Sequence, residues 1–163
     1  MKIAFRVDAG SAIGGGHLSR CLTIADELNT IVGVQCHFIS KSHNGNFITQ
    51  IKTKGYEVEV LPLEFEPDYL SGYEQWVGGD IGNDAISSLD YLTKMGFGIG
   101  DWLIVDHYGL DFRFEEVIAA KGITIGVIDD LVNRRHICAL LIDQTCGRKT
   151  AEYVKLVNED AVI

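Results

Sequence analysis

Arg6-Val-Asp8-Ala-Gly10-Ser-Ala-Ile-Gly14-Gly15-Gly16-His17 is the stretch on which the reading of this chain turns. It follows an apolar run, Lys2-Ile3-Ala4-Phe5-Arg6-Val7, that reads as a strand. It leads into a segment whose apolar positions Leu18, Cys21, Leu22, Ala25 and Leu28 recur at helical spacing. A glycine-rich turn therefore joins a strand to a helix, with a histidine in the first helical turn. Glycines let backbone N–H groups approach a ligand closely, and a helix start favours an anion.

Outward from this unit, strand and helix alternate. Strands are expected at 2–7, 34–39, 57–61, 102–105, 123–128 and 139–142, and helices at 17–28, 46–54, 85–95 and 112–120. Asp84 and Asp111 stand where helix N-caps belong, and Gly96 stands as a helix stop. Trp102-Leu-Ile-Val105 and Ile123-Thr-Ile-Gly-Val-Ile128 are apolar without alternation, as in parallel strands covered on both faces. The fold class expected is α/β, a doubly wound Rossmann-like parallel sheet in one domain over 1–163. Residues 62–83 resist the scheme: they hold both prolines, Tyr69, Tyr73 and Trp76, and show no period. An irregular stretch of that length reads as a functional loop or a hidden element. The tail from Gln144 ends on Asp160-Ala-Val-Ile163, which looks like the start of a further strand.

A net charge of −9 argues against general nucleic-acid binding, which needs clustered lysines and arginines. No apolar run approaches the roughly 18 to 20 residues of a membrane helix, and the strand at the N-terminus replaces the basic-then-apolar start of a signal peptide. A cytoplasmic protein is expected. Cys21, Cys36, Cys138 and Cys146 show no C-x-x-C spacing and read as core or incidental residues rather than as a zinc site.

In an open parallel sheet, ligands bind outside the carboxyl ends of the strands. Three strands end there in polar residues: Asp8 with the glycine turn, Asp106-His107-Tyr108, and Asp129-Asp130. His17 is the candidate base, because the positive end of a helix disfavours imidazolium and a general base must be neutral. Asp8 lies across the turn as the group to orient its ring. Arg6 and Arg20 are candidate donors to a phosphate, together with the backbone of Gly14, Gly15 and Gly16. His107 and Tyr108 offer hydrogen bonds to a sugar hydroxyl or carbonyl; alternatively, Asp106 and His107 cap the following backbone. Adjacent carboxylates point apart, so Asp129-Asp130 reads as a loop-forming or hydroxyl-binding pair rather than a metal site. Arg134-Arg135-His136 reads as a solvated basic patch. The turn lacks the G-x-G-x-x-G spacing of dinucleotide folds, there is no G-K-[ST] of a P-loop, and Ser11 has no nucleophile-elbow pattern around it.

Six segments in register, Phe5-Arg6-Val-Asp8, Ile13-Gly-Gly-Gly-His17, Arg20-Cys21-Leu22, Val105-Asp106-His107-Tyr108, Ile128-Asp129-Asp130 and Leu141-Ile-Asp143-Gln144, cover the chain from Lys2 to about Val157. In that order they resemble the hydrolases of UDP-2,4-diacetamido-2,4,6-trideoxy-β-L-altropyranose in pseudaminic acid biosynthesis and their spore-coat polysaccharide relatives. The resemblance implies the N-terminal half of a glycosyltransferase-B fold and an inverting hydrolysis at the anomeric carbon, with UDP leaving and no cofactor or metal. It implies that His17 deprotonates the attacking water and that Tyr108 lies near the sugar. It also implies a second nucleotide-binding domain beyond these residues, so that the sequence reads as an isolated N-terminal domain, a fragment or half of a split enzyme, and a second domain or chain is an expected partner beside the UDP-sugar. Asp8-Ala9-Gly10 departs from the family, which places small hydroxyl residues after the aspartate. Two other functions remain open: a catalytically incomplete half that binds sugar or pairs with a partner, and a glycosyltransferase relative using the same turn.

Overall fold

The apolar runs become six strands: β1 (Lys2–Val7), β2 (Gln35–Lys41), β3 (Glu57–Leu61), β4 (Trp102–Asp106), β5 (Thr124–Ile128) and β6 (Leu140–Ile142). The computed structural model describes residues 1–65 and 72–163; Pro67 and Tyr69 lie outside these described residues. The strands form one sheet in the order β3-β2-β1-β4-β5-β6, with every neighbouring pair parallel. β1 is followed in sequence by its neighbour on one side, whereas β4 lies on the other. The crevice at this reversal of strand order is where open α/β sheets bind ligands.

Parallel strands need cover on both faces, and four helices supply it. On one face α1 (Gly16–Leu28) and α2 (Ile48–Thr53) bury Leu18, Cys21, Leu22, Ala25 and Ile51 against Phe5 and Phe38, whose rings stack at 5.1 Å. On the other, α3 (Ile81–Lys94) and α4 (Phe112–Ala119) bury Ala85, Leu92, Phe114 and Ile118 against Ile39, Val105 and Ile125. No helix among the described residues is long and apolar enough to cross a membrane. The fold is thus a doubly wound, Rossmann-like α/β sheet.

Three local expectations change. α3 begins at Ile81, and its N-cap is Asp80, whose carboxylate accepts from Asn83 N at 3.0 Å. Asp84 is not the cap; it lies one turn inside, buried against cations. The irregular stretch contains a short 3-10 helix, Tyr73–Val77, held by Gly72 O accepting from Gln75 N. The tail does return to the sheet, as a single parallel bridge: Val162 pairs with Leu140 beside β6. Asp111 caps α4 and Gly96, with φ of 70°, follows α3, both as expected.

Candidate active site at the crossover of the sheet

The turn after β1 folds on itself before α1 starts. Gly10 and Gly14 exchange backbone hydrogen bonds, and Gly14 needs φ of +83°, a conformation natural to glycine. Gly15 is the helix N-cap, without a side-chain cap, and Gly16 is the first residue of α1. His17 is thereby held at the rim of the crevice, over the end of β4.

The group that orients His17 is Asp106, not Asp8. The Nδ1 of His17 lies 2.7 Å from Oδ1 of Asp106, the last residue of β4. An ionised carboxylate only accepts, so Nδ1 carries the proton and Nε2 is the nitrogen with a free lone pair in the neutral ring. The His17 side chain keeps 11% of its surface. Arg20, one turn further along α1, forks onto the same carboxylate through Nε and Nη2 at 2.5 Å each. Burial pushes the Asp106 carboxyl up, and the bonds from Arg20 and His17 outweigh it, holding it below the usual range. Arg20 thus braces Asp106, with Nη1 also 3.9 Å from Asp130. Cys21 also donates to Asp106; burial, then that carboxylate, pushes its thiol well up, so it stays unreactive.

Tyr108 completes the cluster. Its hydroxyl donates to Asp130 Oδ1 at 2.6 Å, and its ring meets His17 edge-on at 4.5 Å. Burial and then the Asp130 bond raise its pKa, so the hydroxyl remains a phenol. Asp129 and Asp130 do point apart. Asp130 faces the crevice, whereas Asp129 is buried, accepts from the N–H groups of Leu131 and Val132, and pairs with Arg134 at 2.8 Å. Asp129 shapes its loop and is not placed to bind substrate.

A second polar cluster lies beneath, and it contains the other expected site residues. Arg6 is fully buried and bonds Asp8 and Asp84, each at 2.7 Å in its closest contact; Lys41 Nζ lies 3.2 Å from Asp84. Asp8 also accepts from Lys41 N at 2.7 Å and faces Nε2 of His43 and of His107, at 3.2 and 3.1 Å. Burial drives Asp8 and Asp84 up, and Arg6 in particular reverses this, so both carboxyls sit below their usual range. His107 accepts from Gly109 N on Nδ1, so its Nε2 carries the proton toward Asp8; burial lowers its pKa. Arg6, Asp8 and His107 are therefore scaffold, closed to a ligand, and His107 follows its backbone-capping alternative. The basic patch is corrected in the same way. Only Arg135 is exposed; His136 is buried on Glu115 at 2.6 Å, and Arg134 bonds Leu110 O.

Tyr73 and Trp76 stand in the stretch expected to be a functional loop or a hidden element, and the sequence did not assign them to the site. Trp76 lies 6.3 Å from the ring of His17 and 5.6 Å from that of Tyr108; Tyr73 lies 4.9 Å from Tyr108. The Trp76 Nε1–H is buried without a hydrogen-bond partner among the described residues, an arrangement that costs about 1–3 kcal/mol.

As the motifs led us to expect, the chain is similar to UDP-2,4-diacetamido-2,4,6-trideoxy-β-L-altropyranose hydrolase of Campylobacter jejuni, with 27% identity over 158 residues. The similarity takes in 96% of this chain and 46% of that enzyme, so the chain spans about half the length of its curated relative. No protein-family model matches the chain.

Proposed function

We propose that this chain carries the catalytic residues of a nucleotide-sugar hydrolase, which releases UDP from a diacetamido-trideoxyhexose by attack of water at the anomeric carbon. The observation that carries the reading is the His17–Asp106 pair at 2.7 Å, set where the sheet order reverses. In a chain similar to a hydrolase of such a substrate, that pair has the parts of a general base and its orienting carboxylate.

In this reading, Nε2 of His17 removes a proton from water as the water oxygen bonds to the anomeric carbon. The bond from that carbon to the diphosphate oxygen breaks, and its electron pair leaves with UDP. Asp106 fixes the ring and stabilises the imidazolium that forms. Attack opposite the leaving group inverts the anomeric centre. Tyr108 stands at the sugar, and the N–H groups of Gly15 and Gly16 at the start of α1, with Arg20, offer positive potential to the diphosphate, whereas the Gly14 N–H is taken by Gly10 O. The reading assigns no cofactor and no metal.

In this reading a second nucleotide-binding domain or chain, matching the part of the relative beyond the 46% covered here, holds the uridine. The test is hydrolysis in oxygen-18 water, with that second half of the relative supplied if the chain alone is slow. The label is expected in the sugar's anomeric hydroxyl by mass spectrometry. Label in UDP, or no UDP release with both halves present, would overturn the reading.

A further inference from the structure

The loop between β5 and β6 is built around a strained residue. Val132 has φ of 54°, a left-handed conformation that β-branched side chains rarely adopt, and it is the one non-glycine residue with positive φ among the described residues. Its N–H is held by Asp129 Oδ2 at 3.1 Å. Such strain persists where the surroundings impose it, and it gathers at working sites. Two residues on, Arg134 turns back to the loop after β4. Its Nη1 lies 2.8 Å from Asp129 Oδ1, its Nε donates to Leu110 O at 2.9 Å, and its Nη2 donates to His107 O at 3.3 Å. His107 and Leu110 flank Tyr108 and Gly109, and Leu110 N donates to His107 O at 3.2 Å. One guanidinium thus grips both ends of the turn that carries Tyr108, and it lies 6.0 Å from the centre of the Tyr108 ring.

We propose that Arg134 is a positioning residue, which acts on the reaction through Tyr108 by holding its ring edge-on to His17. The inference rests on the reading of His17 as the base. Tyr108 is bracketed by a single loop: Asp130 accepts from its hydroxyl at 2.6 Å, and Arg134 fixes the backbone on either side of it. With both ends fixed, the ring keeps its 4.5 Å contact with the imidazole, which Asp106 holds from its Nδ1 side. The task suits arginine and not lysine. A guanidinium is a planar fork with donors enough for two carbonyls and a carboxylate at once, whereas an ammonium is a point charge on a flexible stem. Lysine at this position is expected to keep the pair with Asp129 and to release the turn.

The test is Arg134→Lys, with Tyr108→Leu as its reference. In proton NMR the Tyr108 ring current displaces the ring signals of His17, and Tyr108→Leu removes that displacement. Arg134→Lys is expected to remove most of it, with the urea unfolding midpoint unchanged. UDP release, with the second half of the relative supplied if the chain alone is slow, should fall about three- to tenfold in Arg134→Lys. In a Tyr108→Leu background the same substitution should cost nothing further, because a residue that acts through another loses its effect with it. Unmoved His17 signals in Arg134→Lys, or losses that add in the double variant, would overturn the positioning role even if UDP release stands. Signals that follow Arg134 in a protein that releases no UDP with both halves present would uphold the hold of Arg134 on Tyr108 and remove the hydrolase reading instead.

Discussion

Two polar clusters sit at the same strand ends and use the same kinds of side chain. The lower one, Arg6, Lys41, Asp8 and Asp84, matches two cations with two carboxylates in a space closed to solvent. The upper one, His17, Arg20, Asp106, Asp130 and Tyr108, pairs its groups as closely but leaves His17 at the surface and Asp130 partly open. In the lower cluster the carboxylates meet cations, the Lys41 N–H and two imidazoles, so the charges are consumed in holding β1, β2 and α3 together. In the upper cluster, Asp106 orients His17 through Nδ1, and the proposed base is the second nitrogen of that ring. Composition alone does not separate scaffold from site; closure does.

The widest separation between the clusters should appear on removing a carboxylate from the lower one. Asp84→Ala leaves Arg6 and Lys41 sharing Asp8 in a dry interior, and should cost about 3–5 kcal/mol in urea unfolding. A loss under about 1 kcal/mol would mean that water enters the cluster and that the contrast is false. Next, Asp106→Asn should slow UDP release about a hundredfold, because an amide can present its N–H to Nδ1 and favour the wrong tautomer. Unchanged turnover would move the orienting role elsewhere.

The clusters should share one response to acid. Asp8, Asp84 and Asp106 are all held below the ordinary carboxylate range, so protons bind more readily to the unfolded chain. The stability they contribute is complete above about pH 4, the unfolded value, and is lost as pH falls through their lower folded values. The unfolding midpoint should therefore drop on acidification below about pH 4, and less steeply in an Asp84→Asn variant; an equal slope would show that Asp84 is not a linked group. The smallest effect expected is at Tyr153, whose hydroxyl donates to Asp129 O at 2.8 Å and lies 2.8 Å from Asp143. Tyr153→Phe should cost about 1 kcal/mol through its loop, with UDP release retained.

The strands were legible because both-sided burial leaves continuous apolar runs, and every expected strand is present within a residue or two. His17, Arg20, Tyr108 and Asp130 were legible because the glycine turn and the polar strand ends mark the crevice. The partner of His17 was not. Asp8 is nine residues away in sequence, and Asp106 is 89 away; only the pairing of β1 with β4 makes Asp106 the neighbour. Likewise Asp84 was expected as the cap of α3; its burial against Arg6 and Lys41 takes it out of that role, which Asp80 fills. Tyr73 and Trp76 lie in a helix of five residues, too short to show a period. A cluster of aromatics in an otherwise irregular stretch was the signal available.

The most direct test of this account is UDP release by His17→Gln beside the native chain, with urea unfolding run on the same samples. Release at least a hundredfold slower with an unchanged unfolding midpoint is the result expected if the upper cluster carries the chemistry and the lower one the fold. Native rates in the variant, or a rate loss explained by a lowered midpoint, would contradict it.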